Sequence, residues 1–266
     1  MEEHMSAAGA SIRFPDPVTL VVVALLVAPG CALTREATVP MPQVDHFTTS
    51  TTTDASGRTL VVMLPGYGDG PGHFSDHGFV RAVTEHSDTI DVIAVDAHYG
   101  YYRTMTVVER LERDVIVPAR TRGYQRIWLV GVSMGGFGSL AYLQQHSDSI
   151  AGVIVLAPYL GDSDLIEEIS DAGGLSSWNP DEVEAVEGDR SRFFRSLWSW
   201  LKRRPANSPP IFIGVGEDDR LEPASRLISA TLPKGQVRVR DGGHGWSTWE
   251  PLFRSLLEAS TIATGR

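Results

Sequence analysis

Short, almost uninterrupted apolar runs alternate with segments whose apolar residues recur every three or four positions. Thr59–Leu64, Asp91–Asp96, Ile127–Val132, Gly152–Ala157, Ile211–Gly216 and Gln236–Arg240 have the length and β-branched content of buried strands. Phe79–His86, Val107–Ala119, Gly136–Gln145, Ala224–Ala230 and Trp246–Leu257 carry helical periodicity between and after them. Strands apolar on both faces and alternating with helices predict an α/β fold, a mostly parallel sheet with helices on both faces. The rhythm fails once, between Pro158 and Pro209, where no strand candidate occurs. We read a helical cap insertion at about residues 160–208, above the carboxyl ends of the strands, where open sheets of this kind bind ligands.

Before the first buried strand the pattern changes twice. Val18–Ala28 is an apolar run too short to span a bilayer, but of the length of a secretory signal core. Leu26-Val27-Ala28-Pro29-Gly30-Cys31 resembles a bacterial lipobox, which implies lipidation of Cys31 and attachment to a membrane. A plain cleaved signal and an uncleaved anchor are the alternatives, and export is common to all three readings. Residues 1–31 are therefore assigned as signal peptide and lipobox, 32–57 as a tether with one or two leading strands in Gln43–Thr53, and 58–266 as the main domain. Ala32–Pro42, rich in Thr and Pro, reads as a tether rather than a packed element.

Composition narrows the function only by exclusion. A formal net charge of −10 argues against affinity for nucleic acid or anionic lipid. Cys31 is the single cysteine, so the mature chain relies on no internal disulfide.

The chemistry-bearing residues sit at strand ends. Gly131-Val132-Ser133-Met134-Gly135 matches G-x-S-x-G directly after one strand and before a helix. A serine on so sharp a turn projects its hydroxyl clear of the sheet, with backbone N–H groups of the helix start beside any developing negative charge. Such a hydroxyl needs a base, and His244 in Asp241-Gly242-Gly243-His244-Gly245-Trp246 is the candidate, because the glycines let its loop approach other backbone. The base in turn needs an acid, for which the residues offer Asp218 and Asp219 after Ile211–Gly216.

With these residues in place, Thr59 to Leu257 resembles the α/β-hydrolase superfamily. The family's G-x-x-D-x-hydrophobic-x-P pattern, laid on Gly216, Leu221 and Pro223, implies Asp219 as the acid. The chain order Ser133, Asp219, His244 is also the order this fold uses. The resemblance implies a serine hydrolase with an acyl-enzyme, of carboxylesterase type by default, with thioesterase, acyltransferase and peptidase on the same residues as alternatives. The expected partner is a small-molecule ester or acyl substrate, and no metal or organic cofactor is required. The oxyanion donors are expected to be the Met134 N–H and, from Pro65-Gly66-Tyr67-Gly68, the Tyr67 N–H, with Gly68 as the fallback.

Other features have competing readings. Trp178, Phe193, Phe194, Trp198 and Trp200 could line an acyl pocket or pack the insertion onto the domain. Arg192, Arg195, Lys202, Arg203 and Arg204 could meet an anion or form a solvated face. His73 and His77, with Asp96 and His98, suggest a metal-dependent rival, although Pro71, Gly72 and Gly78 argue against a helix there. A non-catalytic binding protein on a hydrolase scaffold is the other rival.

Overall fold

The computed structural model describes residues 35–47, 55–180 and 189–262. The expected signal, lipobox and Cys31 lie outside these residues. Seven strands form one sheet: β1 (Gln43–His46), β2 (Thr59–Leu64), β3 (Ile90–Val95), β4 (Arg126–Val132), β5 (Gly152–Leu156), β6 (Ile211–Gly216) and β7 (Val237–Arg240). Their order is β1-β3-β2-β4-β5-β6-β7. Only β1 is antiparallel, pairing Gln43 with Val95 and His46 with Val92 on the sheet's edge. The expected leading-strand region thus yields one strand, and residues 48–54 lie outside the description.

Helices lie on both faces: α1 (Gly72–Asp76), α2 (Phe79–His86), α3 (Tyr99–Arg103), α4 (Val107–Leu111), α5 (Val117–Thr121), α6 (Met134–Gln145), α7 (Ser163–Asp171), α8 (Asp189–Arg203), α9 (Glu222–Ser229) and α10 (Trp246–Ala259). Every residue of β2 is buried, and strand alternation divides them. Leu60, Val62 and Leu64 face one core with Phe137 and Leu140 of α6, whereas Val61 and Met63 face a second core with Phe79 of α2 and Phe253 of α10. Two cores, one per face, explain why the strands read as continuous apolar runs.

Three local expectations need correction. Arg35–Pro42 is not a loose tether. The Arg35 guanidinium reaches both Asp96 carboxylate oxygens, Tyr101 donates its hydroxyl to the Thr38 carbonyl at 3.0 Å, and the Met41 N–H donates to Asp114 at 2.8 Å. These polar anchors are absent from a reading by composition. Residues 72–76 are helical despite Pro71 and Gly78, because Pro71 already has a helical φ of −59° as N-cap and Gly78 takes a left-handed φ of 79° before α2. The single helix expected over Val107–Ala119 divides into α4, a π-helical turn at Glu112–Ile116, and α5. Pro118 lacks the N–H that a regular continuation would use.

The insertion between β5 and β6 contains α7 and α8 and is stitched to itself by buried and partly buried polar contacts. Glu168 accepts from the Trp178 indole at 2.7 Å and pairs with Arg195 at 2.9 Å. The Trp198 indole donates to the Leu160 carbonyl at 2.8 Å, and Lys202 donates to the Trp178 carbonyl at 2.5 Å. Two members of the basic run therefore hold the insertion together. Trp178 and Trp198 are fully buried packing residues, while Phe193 and Phe194 lean on Phe137 of α6 with ring centroids 5.5 and 4.7 Å apart.

Candidate active site

Ser133 caps the start of α6 with φ 52° and ψ −113°, a region L-residues avoid. Such strain costs about 1–3 kcal/mol. Three backbone hydrogen bonds at that one residue offset it, each contributing about 1 kcal/mol net: its N–H to Leu156 at 2.8 Å, and its carbonyl from Tyr159 at 3.0 Å and Phe137 at 3.2 Å. The motif glycines follow from contact distances. A Cβ at Gly131 would lie 2.2 Å from the Gly135 carbonyl oxygen, and one at Gly135 would lie 2.0 Å from that of Leu64. No side chain fits either place, so the elbow requires glycine there for space.

The two remaining candidates arrive on the loops after β6 and β7. The Asp219 side chain is fully buried and accepts the Leu221 N–H at 2.8 Å. His244 places Nδ1 2.9 Å from both Asp219 oxygens and Nε2 2.9 Å from the Ser133 hydroxyl. The two loops are pressed together: a Cβ at Gly216 would lie 2.1 Å from the Gly242 carbonyl oxygen, and the Asp218 N–H donates to that carbonyl at 3.0 Å. Gly242 itself sits at φ 128°, a conformation open to glycine. Asp218 is exposed and the carboxylate that meets His244 Nδ1 is that of Asp219, so the structure brings Asp219 rather than Asp218 to His244. With Nδ1 hydrogen-bonded to the carboxylate, Nε2 is left to accept the serine proton.

Met134 is the first residue of α6, and a first-turn N–H has no intrahelical acceptor. The β2–α1 loop runs past the serine closely enough that a Cβ at Gly66 would lie 3.5 Å from the Ser133 Cβ. Tyr67 lines the same cavity of about 250 Å³ as Ser133 and His244, and its side chain is half exposed. Met134 and Tyr67, the two residues expected to supply oxyanion donors, therefore lie beside Ser133, one as its chain neighbour and one in the same cavity.

Several residues of this cavity escaped the sequence reading. Asp69, Arg220, Trp246 and Trp249 also line it, and Trp249 packs edge-on against the His244 ring at 4.8 Å. The signal available was the spacing of Trp246 and Trp249, which puts them on one side of α10 directly after the histidine. A second chamber of about 330 Å³ abuts the site, walled by Met134, Tyr159, Phe193 and Phe194 among others.

The proposed metal ligands go elsewhere. His73 and His77 stack on Trp246 at 6.1 and 4.8 Å, Asp96 is held by Arg35, and His98 Nδ1 accepts the Gly100 N–H at 3.1 Å. Burial, assisted by the charge of Arg35, lowers the His98 pKa below its ordinary value, consistent with a neutral acceptor. Among the described residues no three His, Cys, Asp or Glu side chains converge on a metal position.

A family model described as alpha/beta hydrolase fold matches residues 58–196, and the chain belongs to that family. Ser133 falls inside the matched region, whereas Asp219 and His244 lie beyond it and are located by the structure. The chain is 23% identical over 189 residues to an acetyl esterase of Caldicellulosiruptor saccharolyticus, covering 65% of this chain and 68% of that one. Among solved structures it is similar to an arylesterase, with a TM-score of 0.53 at 16% identity over 93% of this chain and 97% of the other. It is also similar to an S-formylglutathione hydrolase of Staphylococcus aureus, with a TM-score of 0.52 at 15% identity, covering 85% of this chain and 98% of that one. At these identities the solved structures speak for the fold.

Proposed function

We propose that this protein is a serine hydrolase of carboxylic esters that works through an acyl-enzyme. The observation that carries the reading is the unbroken relay from Ser133 through His244 to Asp219, with 2.9 Å at each link. His244 Nε2 takes the Ser133 proton as the serine oxygen bonds to the ester carbonyl carbon. The carbonyl oxygen gains the negative charge against the Met134 and Tyr67 N–H groups, and Asp219 stabilises the imidazolium. Collapse of the tetrahedral species breaks the bond to the alcohol, which leaves with the proton from His244. Water then repeats both steps on the acyl-serine and restores the enzyme. Each step uses this chain's own side chains and backbone. The likeness to an acetyl esterase, at 23% identity, favours oxygen esters over the thioester, acyl-transfer and peptide alternatives.

Export, with attachment through a lipidated Cys31, belongs to the same proposal. Arg35, the first described residue, is pinned to Asp96 just beyond the carboxyl end of β3, the end of the sheet where Ser133 lies. Intact-mass measurement of the protein from its native membrane fraction tests the lipidation.

The test of the activity is turnover of p-nitrophenyl esters by the wild type and by Ser133→Ala. The variant is expected to lose on the order of 10⁶-fold in kcat while melting at the wild-type temperature. A fluorophosphonate probe should label wild type at Ser133 and leave the variant untouched. Turnover that survives in Ser133→Ala would sink the assignment.

A further inference from the structure

The chamber beside Ser133 is not needed for the proton relay, yet most of the residues that line it are aromatic. Tyr99, Tyr102, Phe137, Tyr159, Phe193 and Phe194 present rings to it. They come from α3, the start of α6, the segment after β5, and α8, so four separated stretches of chain converge. Met134 joins it to the reacting serine, being both the neighbour of Ser133 and part of the chamber wall. Tyr159, whose N–H holds the Ser133 carbonyl, forms another side. Tyr67 of the serine cavity meets Tyr99 of the chamber edge to face at 5.5 Å. The walls of the two spaces are thus linked twice, through the neighbours Ser133 and Met134 and through the Tyr67–Tyr99 contact.

From this arrangement we infer that the chamber is the acyl subsite and that it takes a flat aromatic acyl group, making the physiological substrate an ester of an aromatic carboxylic acid. The inference rests on the serine ester hydrolase reading and names its substrate class. At about 330 Å³ the chamber is at the small end of ligand pockets, which start near ~300 Å³. The walls are prearranged for ring edges and faces: Phe194 meets Tyr159 at an interplanar angle of 87°, and Phe193 meets Phe137 at 88°. An aromatic guest adds quadrupolar contacts, about 0.5–1.5 kcal/mol per pair beyond what burial gives any apolar group. A straight alkyl chain of the same size gains only the burial and loses more rotamer freedom on ordering.

One glycine fixes the width. Gly138 lies within α6, where glycine weakens a helix relative to alanine. A Cβ there would come within 2.6 Å of the Tyr102 hydroxyl, which is buried without a hydrogen-bond partner. Gly138 thus lets the Tyr102 ring lie back against α6 and leaves the chamber open.

The experiment compares kcat/KM of the full chain for p-nitrophenyl 3-phenylpropanoate and p-nitrophenyl nonanoate, which have equal acyl carbon number and unconjugated carbonyls. The aryl ester is expected to be preferred about five- to thirteen-fold, corresponding to two aromatic contacts at the lower end of their range or one at the upper. Phe194→Ala should erase the preference. Gly138→Ala should shrink it by pushing Tyr102 inward, and adding Tyr102→Phe should restore it. Should Phe194→Ala fail to fold, competitive inhibition of wild type by 3-phenylpropanoate against nonanoate gives the same comparison without a variant. Equal or reversed preference, with Ser133 still labelled by fluorophosphonate, overturns the aryl subsite and leaves the hydrolase reading standing. No turnover of any ester and no labelling overturns both.

Discussion

Two buried carboxylates at opposite ends of the sheet show how the same group becomes either framework or chemistry. Asp91, near the amino end of β3, accepts two hydrogen bonds from Arg58 at 2.6 and 2.7 Å and one from the Tyr124 hydroxyl at 2.7 Å. The pairing raises the Arg58 pKa above its ordinary value, and burial together with Asp91 pushes the Tyr124 hydroxyl upward. Neither the arginine nor the tyrosine changes charge near neutrality. Asp219, beyond the carboxyl end of β6, is buried as deeply but has a histidine where Asp91 has an arginine. An imidazole has one ring nitrogen free to accept a proton while the other is held by a carboxylate, which a guanidinium cannot offer, so the second carboxylate faces a partner suited to proton transfer. The partner, more than the burial, separates a structural carboxylate from one suited to catalysis.

The comparison can be broken most directly at Asp219. Asp219→Asn preserves shape but favours the wrong imidazole tautomer, and kcat for ester turnover should fall on the order of 10⁴-fold with the melting temperature little changed. Retained turnover would mean that Asp219 does not orient His244. Asp91→Ala should do the reverse, costing about 3 kcal/mol in urea unfolding because Arg58 is left without its carboxylate, while kcat of the folded fraction holds. A smaller effect is expected for Gly216→Ala, which forces the Gly242 carbonyl and the His244 loop apart. Misplacement of about 1 Å should lower kcat by roughly 10²-fold, readable in single-turnover acylation.

The smallest effect concerns His98, which caps α3 from the carboxyl end of β3. Its folded pKa is lowered from 6.5, mainly by burial and then by Arg35. The unfolded chain therefore binds the proton more readily. The stability from neutral His98 is fully present above about pH 6.5 and declines as pH falls through the folded value. Asn keeps a capping acceptor without titrating, so thermal melts of His98→Asn between neutral and mildly acidic pH should fall less steeply than those of wild type. Parallel slopes would remove His98 from the acid response.

Much of this architecture is legible in the chain because its causes are local. Runs such as Thr59–Leu64 are apolar at every position, and only a strand covered on both faces can bury them. The elbow around Ser133 is legible because glycine is demanded twice within five residues. Less legible are short elements whose stability comes from distant partners. α3 has five residues and is held through Gly100, whose Cα lies so close to Arg35 that a Cβ would sit 2.3 Å from the Arg35 carbonyl oxygen. Composition alone makes Arg35–Pro42 a tether, because its anchors Asp96, Tyr101 and Asp114 are about sixty to seventy positions away.

By itself the sequence determined the alternation of elements, the parallel sheet, the serine elbow and the loop positions of His244 and the two aspartates, since these depend on periodicity and on neighbours within a few residues. The family pattern singled out Asp219 and the packed loops set it against the histidine, whereas the tertiary structure alone decided which insertion aromatics pack and which face a chamber, and what else surrounds Ser133. Those outcomes depend on where strand ends separated by scores of residues converge. Local patterning sets which face of an element is buried, but only the packed sheet sets what that face meets.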